Sequence, residues 1–259
     1  MSSPLLLQVG SLARRSVVRT LRQPVNVVPS FLFPLILLAV NVGGLGAAEQ
    51  LPGFPSDSYL DFALAFTFMQ GALFATTSAG TDLARDIQTG FLDRLALTPM
   101  RNAALLAGQL AGIVVLALVQ ATLYLTVGIL AGVRPESGLP GLFVVVLLAV
   151  LIALAFGAVG AFLALRTGSG EAVQAMFPLL FVFLFLSSMN LPRNLIEIDW
   201  FRTVATINPV SYLIEGIRSL IVTGWDAQAL ALGFGIALGL GALALTAASL
   251  ALRGRIARA

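Results

Sequence analysis

Six stretches of the chain, residues 27–48, 60–81, 104–131, 140–165, 173–190 and 227–251, run almost without a charge. A helix needs about 20 apolar residues to cross a hydrocarbon core about 30 Å thick, and a backbone in lipid must satisfy its own hydrogen bonds. Runs of this length therefore leave one fold class, an all-α membrane protein with six transmembrane helices. Composition agrees: 58% of the 259 residues are hydrophobic and 10% charged, against about 25% charged in soluble domains. The fifth stretch is the shortest, bounded by Gln174 and Asn190, and the first carries Pro29 and Pro34, which predict a kink. No water-soluble segment exceeds roughly 40 residues, too short for an ordinary globular domain. Residues 1–259 thus read as a single transmembrane domain.

Orientation follows from the arginines, because short cytoplasmic loops carry the excess of positive charge. With the N-terminus inside, eleven arginines (14, 15, 19, 22, 85, 94, 101, 166, 253, 255 and 258) fall on the cytoplasmic side and four (134, 193, 202 and 218) outside. Six crossings with both termini cytoplasmic fit this count. Five would place the C-terminal arginines outside. Residues 1–26 have a few apolar residues and then arginines, the reverse of a secretory signal, so no cleavable signal is expected.

Absent residue types exclude whole chemistries. The chain has no cysteine and no histidine, so no disulfide, thiol nucleophile or Cys/His metal site is available. It has no lysine, so no GxxxxGK[ST] phosphate loop exists. No catalytic, cofactor-binding or metal-binding residue is expected. Glu49 and Asp61 read as solvated carboxylates at span ends. The net charge of +3 and pI near 10.2 are explained by topology, and no nucleic-acid partner is expected.

Three flanking segments carry the remaining information. In residues 4–23, Leu5, Leu6, Val9, Leu12, Ala13, Val17 and Leu21 share one arc of a helical wheel, while Arg14, Arg15, Arg19 and Arg22 share the other. That pattern predicts an amphipathic helix in the membrane interface, contacting lipid. Segment 191–226 is too apolar for a solvated loop and contains "INPVSYLIEGIRSLIVTGW". Asn208 suits an N-cap, Pro209 the first turn and Gly224 the stop. The helix between, about 14 residues and about 21 Å long, cannot span the bilayer. It is expected to be a short re-entrant or interfacial outer helix, with Trp200, Tyr212 and Trp225 near the headgroups and a Glu215–Arg218 pair at i,i+3. Segment 82–103 has Leu83, Ile87, Phe91 and Leu95 at helical spacing, with Asp82, Arg85, Asp86, Asp93 and Arg94 on other faces. Gly90 divides the stripe, and the pre-proline position Thr98 ends a short helix near 91–97. Four large apolar residues, Phe91, Leu92, Leu95 and Leu97, need a partner that a free cytoplasmic loop does not offer.

The segment "RDIQTGFLDRLALTPMRNAALLAGQL" resembles the pattern before the third span of type-2 ABC exporter permeases. "NPVSYLIEGIRSL" resembles that family's second motif before the last span, and "SSMNLP" points to the daunorubicin-resistance branch. Two departures stand out: Ile87, Gln88 and Thr89 replace an acidic flank, and lysine is absent. The resemblance implies a membrane subunit of an ATP-driven exporter in a bacterial plasma membrane, without an ATPase site of its own. ATP and Mg would sit on a separate ABC ATPase subunit, two copies of which would bind a permease dimer, expected as a homodimer. The helix near 91–97 would be the coupling helix, with Phe91, Leu92, Asp93, Arg94, Leu95, Thr98 and Pro99 as the ATPase-coupling residues. Asn208, Pro209, Tyr212, Glu215 and Arg218 would carry the outer re-entrant helix. Phe31, Asn41, Phe66, Gln70, Phe181 and Phe185 are candidates for a pathway between spans 1, 2 and 5. Such a lining suits a hydrophobic or amphipathic, drug-like or lipid-like substrate, although these rings also suit ordinary packing. A polysaccharide or glycolipid exporter is the alternative.

Three other classes remain on the sequence. An ion-coupled transporter needs ionisable groups near the midplane, where this chain has only neutral Asn41, Gln70 and Gln120. An intramembrane hydrolase needs a base, without histidine or lysine to serve. A purely anchoring subunit has no use for an irregular segment at membrane depth, which lines or borders a cavity.

Overall fold

The protein is described by a computed structural model covering residues 4–22, 24–96 and 102–256. Eleven α-helices follow one another: α1 (Pro4–Leu21), α2 (Pro24–Leu45), α3 (Tyr59–Gln88), α4 (Phe91–Ala96), α5 (Asn102–Leu130), α6 (Gly138–Thr167), α7 (Gly170–Ala175), α8 (Phe177–Phe185), α9 (Asp199–Ile207), α10 (Pro209–Val222) and α11 (Ala227–Ile256). Short 3-10 turns occupy Gly46–Gln50 and Arg193–Leu195. No strand occurs among the described residues.

Among the described residues five helices are long and apolar enough to cross a membrane: Val27–Gln50, Tyr59–Gln88, Ala104–Leu130, Gly138–Thr167 and Ala227–Arg255. The fifth apolar stretch, expected as a span over 173–190, is instead a broken pair, α7 and α8, within Gly170–Phe185. Pro178 explains the break. It has no N–H to bond the carbonyl of Gln174, so the helix is interrupted at Met176 and restarts with Pro178 in its first turn. The chain after Phe185 then bends rather than continuing as helix.

α3 is the axis. Every residue from Phe62 to Gln70 is at most 4% exposed, enclosed by α2, α5, α6 and α10. It also runs past the expected span end at residue 81 to Gln88, so the first third of the charged insert 82–103 is the last two turns of a core helix. Gly90, at φ +64°, supplies the left-handed residue that separates α3 from α4.

The closest crossing in the molecule is between α3 and α6. A Cβ on Gly160 would lie 1.9 Å from the backbone oxygen of Thr76, and one on Gly80 would lie 2.4 Å from Val173 and 2.8 Å from the Gly160 carbonyl. Small residues let helix backbones touch where lipid gives no hydrophobic drive to associate. Other glycines of the helices and their ends behave unequally. Gly108 packs on Leu12 and Gly128 on Leu64, but Gly132 lies in a turn at φ +110°, and nothing comes within 4 Å of a Cβ on Gly235 or Gly239.

α10 is a core helix rather than a surface one. Leu213, Ile214, Ile217, Leu220 and Ile221 are each no more than 1% exposed, covered by α3, α6 and α11. The sequence reading has this helix dipping into the outer leaflet or lying on it; the structure covers its Leu213, Ile217 and Leu220 face with protein, while Ile198, Trp200, Ile207 and Trp225 beside it are exposed.

The α3–α6 contact gives a direct comparison. Gly160→Ala should lower thermal stability by about 1–3 kcal/mol through backbone overpacking, whereas Gly235→Ala should change it by less than about 0.5 kcal/mol. Tryptophan-fluorescence melts in detergent would show the difference, and equal melting points would count against the described crossing.

Candidate functional site

At the C-terminal end of α3, three elements converge on one carboxylate. Asp86 is 2% exposed. Arg15 donates from Nη1 and Nη2 to its two oxygens at 3.0 and 2.7 Å. Arg19 Nη1 donates at 2.8 Å and Gln109 Nε2 at 2.6 Å. Arg19 Nε also pairs with Asp82 at 3.1 Å. Two guanidinium groups thus balance two carboxylates, the arrangement a low-dielectric site requires. The hydrogen bond to Asp86 is the main cause of a raised Arg15 pKa, working against desolvation.

The four amphipathic-face arginines therefore divide. Arg14 and Arg22 are exposed, as an interfacial helix predicts. Arg15 and Arg19 turn inward and pin α1 to α3. Ser16 Oγ donates to the Gln109 carbonyl at 2.9 Å, and Leu12 lies against Gly108, so α1 is also fastened to α5. The sequence places Asp86 off the apolar stripe; the structure adds that it is buried. A wheel of α1 shows a basic arc, but only tertiary contact shows that half of it meets acids 67 and 71 residues away.

α4 is seated on this cluster. The Arg15 guanidinium stacks 3.8 Å from the Phe91 ring centroid, so one arginine bridges α4, α3 and α1. Leu92 is 1% exposed and joins a second apolar core with Leu83, Ile87, Leu105, Leu106, Leu165, Val173 and Leu252. Its expected role as partner-facing apolar surface is corrected, since its surface is spent inside the chain. Arg94 is exposed. The readings for the Asp93 and Leu95 side chains, and for Thr98 and Pro99, lie outside the described residues. The observed α4, Phe91–Ala96, matches the helix expected near 91–97.

On the opposite side, α10 holds the irregular segment after α8. Asn208 caps α10, its Oδ1 accepting from the Val210 N–H at 2.9 Å, while its Nδ2 donates to the carbonyls of Phe183 and Leu186 at 2.6 and 2.9 Å. Pro209 follows in the first turn, as expected. Arg218 is 6% exposed and donates to the carbonyls of Phe62, Ser188 and Met189 at 3.0–3.1 Å, with its guanidinium 3.5 Å from the Phe62 ring centroid. Glu215 does not pair with it. Glu215 accepts instead from Ser188 Oγ at 2.8 Å and Arg193 at 2.6 Å, and Arg193 stacks on Tyr212. The expected i,i+3 pair is thus corrected: each partner finds a better-placed group on the 186–195 segment. Tyr212 Oη donates to the Thr206 carbonyl at 2.7 Å.

The six candidate lining residues are not brought together as one surface. Phe66 and Gln70 are fully buried in α3. Asn41 donates to the Leu37 carbonyl of its own helix at 2.8 Å, and Phe31 is half-buried on α2. Phe181 and Phe185 stack at 6.0 Å on α8, Phe185 being 47% exposed. Gln120 is a packing group: with Tyr124 it donates to the Ser30 carbonyl, at 3.1 and 2.8 Å. Pro34 leaves that carbonyl without its helical partner. Glu49 accepts the Tyr59 N–H at 3.0 Å at the start of α3, and Asp61 lines a polar cavity of about 230 Å³ with Asp57, Arg134 and Glu136. No cluster fit for a metal occurs among the described residues.

The ABC-2 type transporter family profile matches residues 7–222. The chain is 30% identical over 206 residues to the daunorubicin resistance ABC transporter permease protein DrrB1 of Streptomyces coeruleorubidus, covering 76% of this chain and 69% of that one. It is 26% identical to the putative transport permease ycf38 of Porphyra purpurea, covering 87% and 78% of the two chains. The corresponding protein of Pyropia yezoensis is also 26% identical, with 85% and 75% covered.

Asp86→Ala would leave Arg15 and Arg19 facing each other without their shared anion. Complete burial would make this cost about 3–5 kcal/mol, but the Arg15 side chain is 36% exposed, so solvent reduces the loss to about 2 kcal/mol. Limited proteolysis should then cut within α1 at rates that leave α6 and α11 intact. Unchanged melting and cleavage would show that α1 is held by apolar contact alone.

Proposed function

Because this chain belongs to the ABC-2 type transporter family, we propose that it is the membrane half of an ATP-driven exporter for hydrophobic or amphipathic, drug-like or lipid-like molecules. The family makes it a transport permease subunit of an ABC transporter, associated with an ABC ATPase subunit and without ATPase activity of its own. The finer reading is ours. Two ATPases, carrying ATP and Mg, bind a permease homodimer, each chain having six crossings with α7–α8 as the short fifth and both termini cytoplasmic. Supporting this count, an even number of crossings keeps the basic ends of α1 and α11 on one side.

The observation that carries the proposal is the mounting of α4. A six-residue helix is too short to hold itself together in water. It is held by Leu92 in the cytoplasmic apolar core, by the Arg15–Phe91 stack and by the Gly90 turn. Its exposed Arg94 is left for a partner. A push on α4 passes through Arg15 to Asp86 and so to α3, the helix that touches most of the others. α1, locked to the same carboxylate, moves with it. This is a lever with its contacts already made, which suits transmission of an ATP-driven closure.

Direction and substrate rest on analogy and lining. The printed name of the Streptomyces relative concerns daunorubicin resistance, and an export reading for this chain extends that. The aromatic residues along α2, α3 and α8 fit an amphipathic cargo better than an ion. The described carboxylates of α3 lie near its ends, and Asp82 and Asp86 are engaged with arginines, which leaves no mid-span group for ion coupling.

Arg94→Glu and Leu95→Arg test the coupling role without disturbing Leu92. With the chain and its cognate ATPase co-expressed, each variant should insert normally but recover at least about tenfold less ATPase on affinity purification, as loss of an interface anchor predicts. Undiminished recovery with both variants would overturn the assignment of α4.

A further inference from the structure

α5 and α11 both pack on α6 but scarcely touch each other. The gap between them is an open groove of about 500 Å³. Leu110 and Val114 of α5, Leu154 of α6 and Leu245 of α11 line it. Ala107 and Ala111 of α5 leave the room, since neither side chain reaches across. At about 30 Å³ per water-sized group, the volume takes about sixteen of them, the bulk of one fatty-acyl chain. Leu245 is 40% exposed and Ala107 is exposed, so the groove opens sideways, toward lipid.

Its depth matches half a bilayer. Leu106 belongs both to the groove and to the second apolar core, with Leu165 and Leu252. The start of α5 and the last turns of α6 and α11 therefore meet at one end of the groove. From Asn102, where α5 begins, to Val114 the helix runs about 18 Å. Half of a hydrocarbon core about 30 Å thick is about 15 Å.

Charge is sorted along the same line. α5, α6 and α11 contain no acidic residue, and their three arginines, Arg166, Arg253 and Arg255, all lie in the last turns of α6 and α11. The described carboxylates at that end are engaged, Asp82 with Arg19, Asp86 with Arg15 and Glu171 with Ser169 Oγ. Arg255 donates to the Leu165 carbonyl at 3.4 Å, whereas Arg253 is exposed and has no partner among the described residues. Ser249, one turn before Arg253, lines the groove, and its Oγ makes no hydrogen bond among the described residues. Thr246 beside it donates to the Ala242 carbonyl of its own helix instead. Cation, hydroxyl and hydrocarbon thus follow one another from the end inward at Arg253, Ser249 and Leu245. A phospholipid presents phosphate, ester and acyl chain in that order.

We propose that the groove between α5 and α11 holds one anionic phospholipid, its phosphate at Arg253, an ester carbonyl at Ser249 Oγ and one acyl chain against Leu245, Leu110, Val114 and Leu154. A zwitterionic lipid brings its own cation toward Arg253 and is held less tightly. The site requires only that the chain lie in a bilayer, so it stands or falls apart from the exporter reading.

The test is native mass spectrometry of the purified chain in a neutral detergent, titrated with phosphatidylglycerol or phosphatidylcholine carrying identical acyl chains. The first phosphatidylglycerol should bind about fivefold tighter than the first phosphatidylcholine. Arg253→Gln should bring the two within about twofold. Arg14→Gln, which removes an exposed arginine of α1, should leave the preference intact. Ala107→Phe should weaken both lipids at least about fivefold by filling the groove. All three positions are exposed, so the variants should fold as the wild type does. Equal affinities in the wild type, or a preference that survives Arg253→Gln, would overturn the proposal. A preference lost equally with Arg14→Gln would show general surface attraction and sink it too. Unchanged binding in Ala107→Phe would place the lipid elsewhere. Should the wild type instead form dimers that Ala107→Phe dissociates, the groove belongs to a second copy of the chain and the lipid assignment is wrong.

Discussion

Where a backbone leaves regular helix at membrane depth, its freed carbonyls need donors, because lipid offers none. This constraint organises the molecule. Pro34 frees the Ser30 carbonyl, and Gln120 and Tyr124 of α5 take it. The end of α8 frees the Phe183 and Leu186 carbonyls, and Asn208 takes both. The bend beyond it presents Ser188 and Met189, which Arg218 takes. A chain with few polar side chains in its spans has spent most of them on its own backbone. Arg218 shows how far this goes: a cation can be buried without a carboxylate in contact when three carbonyl dipoles and an aromatic face surround it.

The Asp86 end of α3 follows the opposite logic, with charge balanced by charge. Asp86 gathers α1, α3 and α5, and Arg15 extends the group to α4. Bidentate arginine geometry fixes direction as well as distance, so α1 behaves as part of the bundle rather than as a float on the membrane. Arg14 and Arg22 stay exposed, so the inner two of the four arginines face the bundle and the outer two face away from it.

Much of this was legible in the sequence, for identifiable reasons. Long apolar runs, the Asn208–Pro209 start, the Gly90 break and the short helix after it all rest on local rules, and the structure shows α10 over Pro209–Val222 and α4 over Phe91–Ala96. The continuity of the fifth stretch was misread at Pro178, where a local rule was present but average hydropathy outweighed it. The other misses needed long-range knowledge. A wheel cannot tell that Asp86 is buried, that Leu92 faces inward, or that Glu215 prefers Arg193 to the Arg218 three residues on. Nor can hydropathy distinguish a helix wrapped in lipid from α10, which is wrapped in protein.

The distribution of bond types also says where the bundle yields. α3 and α6 are locked backbone to backbone at Gly80 and Gly160. α1 and α3 are locked by ion pairs, α5 joins them through the Gln109 hydrogen bond, and the C-terminal end of α8 with the bend after it is held by Asn208 and Arg218. Among the described residues α2 and α8 meet through the Phe33–Phe181 ring contact, a kind worth about 0.5–1.5 kcal/mol beyond burial, and rings can re-stack where a hydrogen-bonded carbonyl cannot be abandoned without cost. α8 is fixed at one end by α10 and interrupted at the other by Met176. A displacement carried along α3 from the Asp86 cluster therefore meets its least resistance at Phe33 and Phe181.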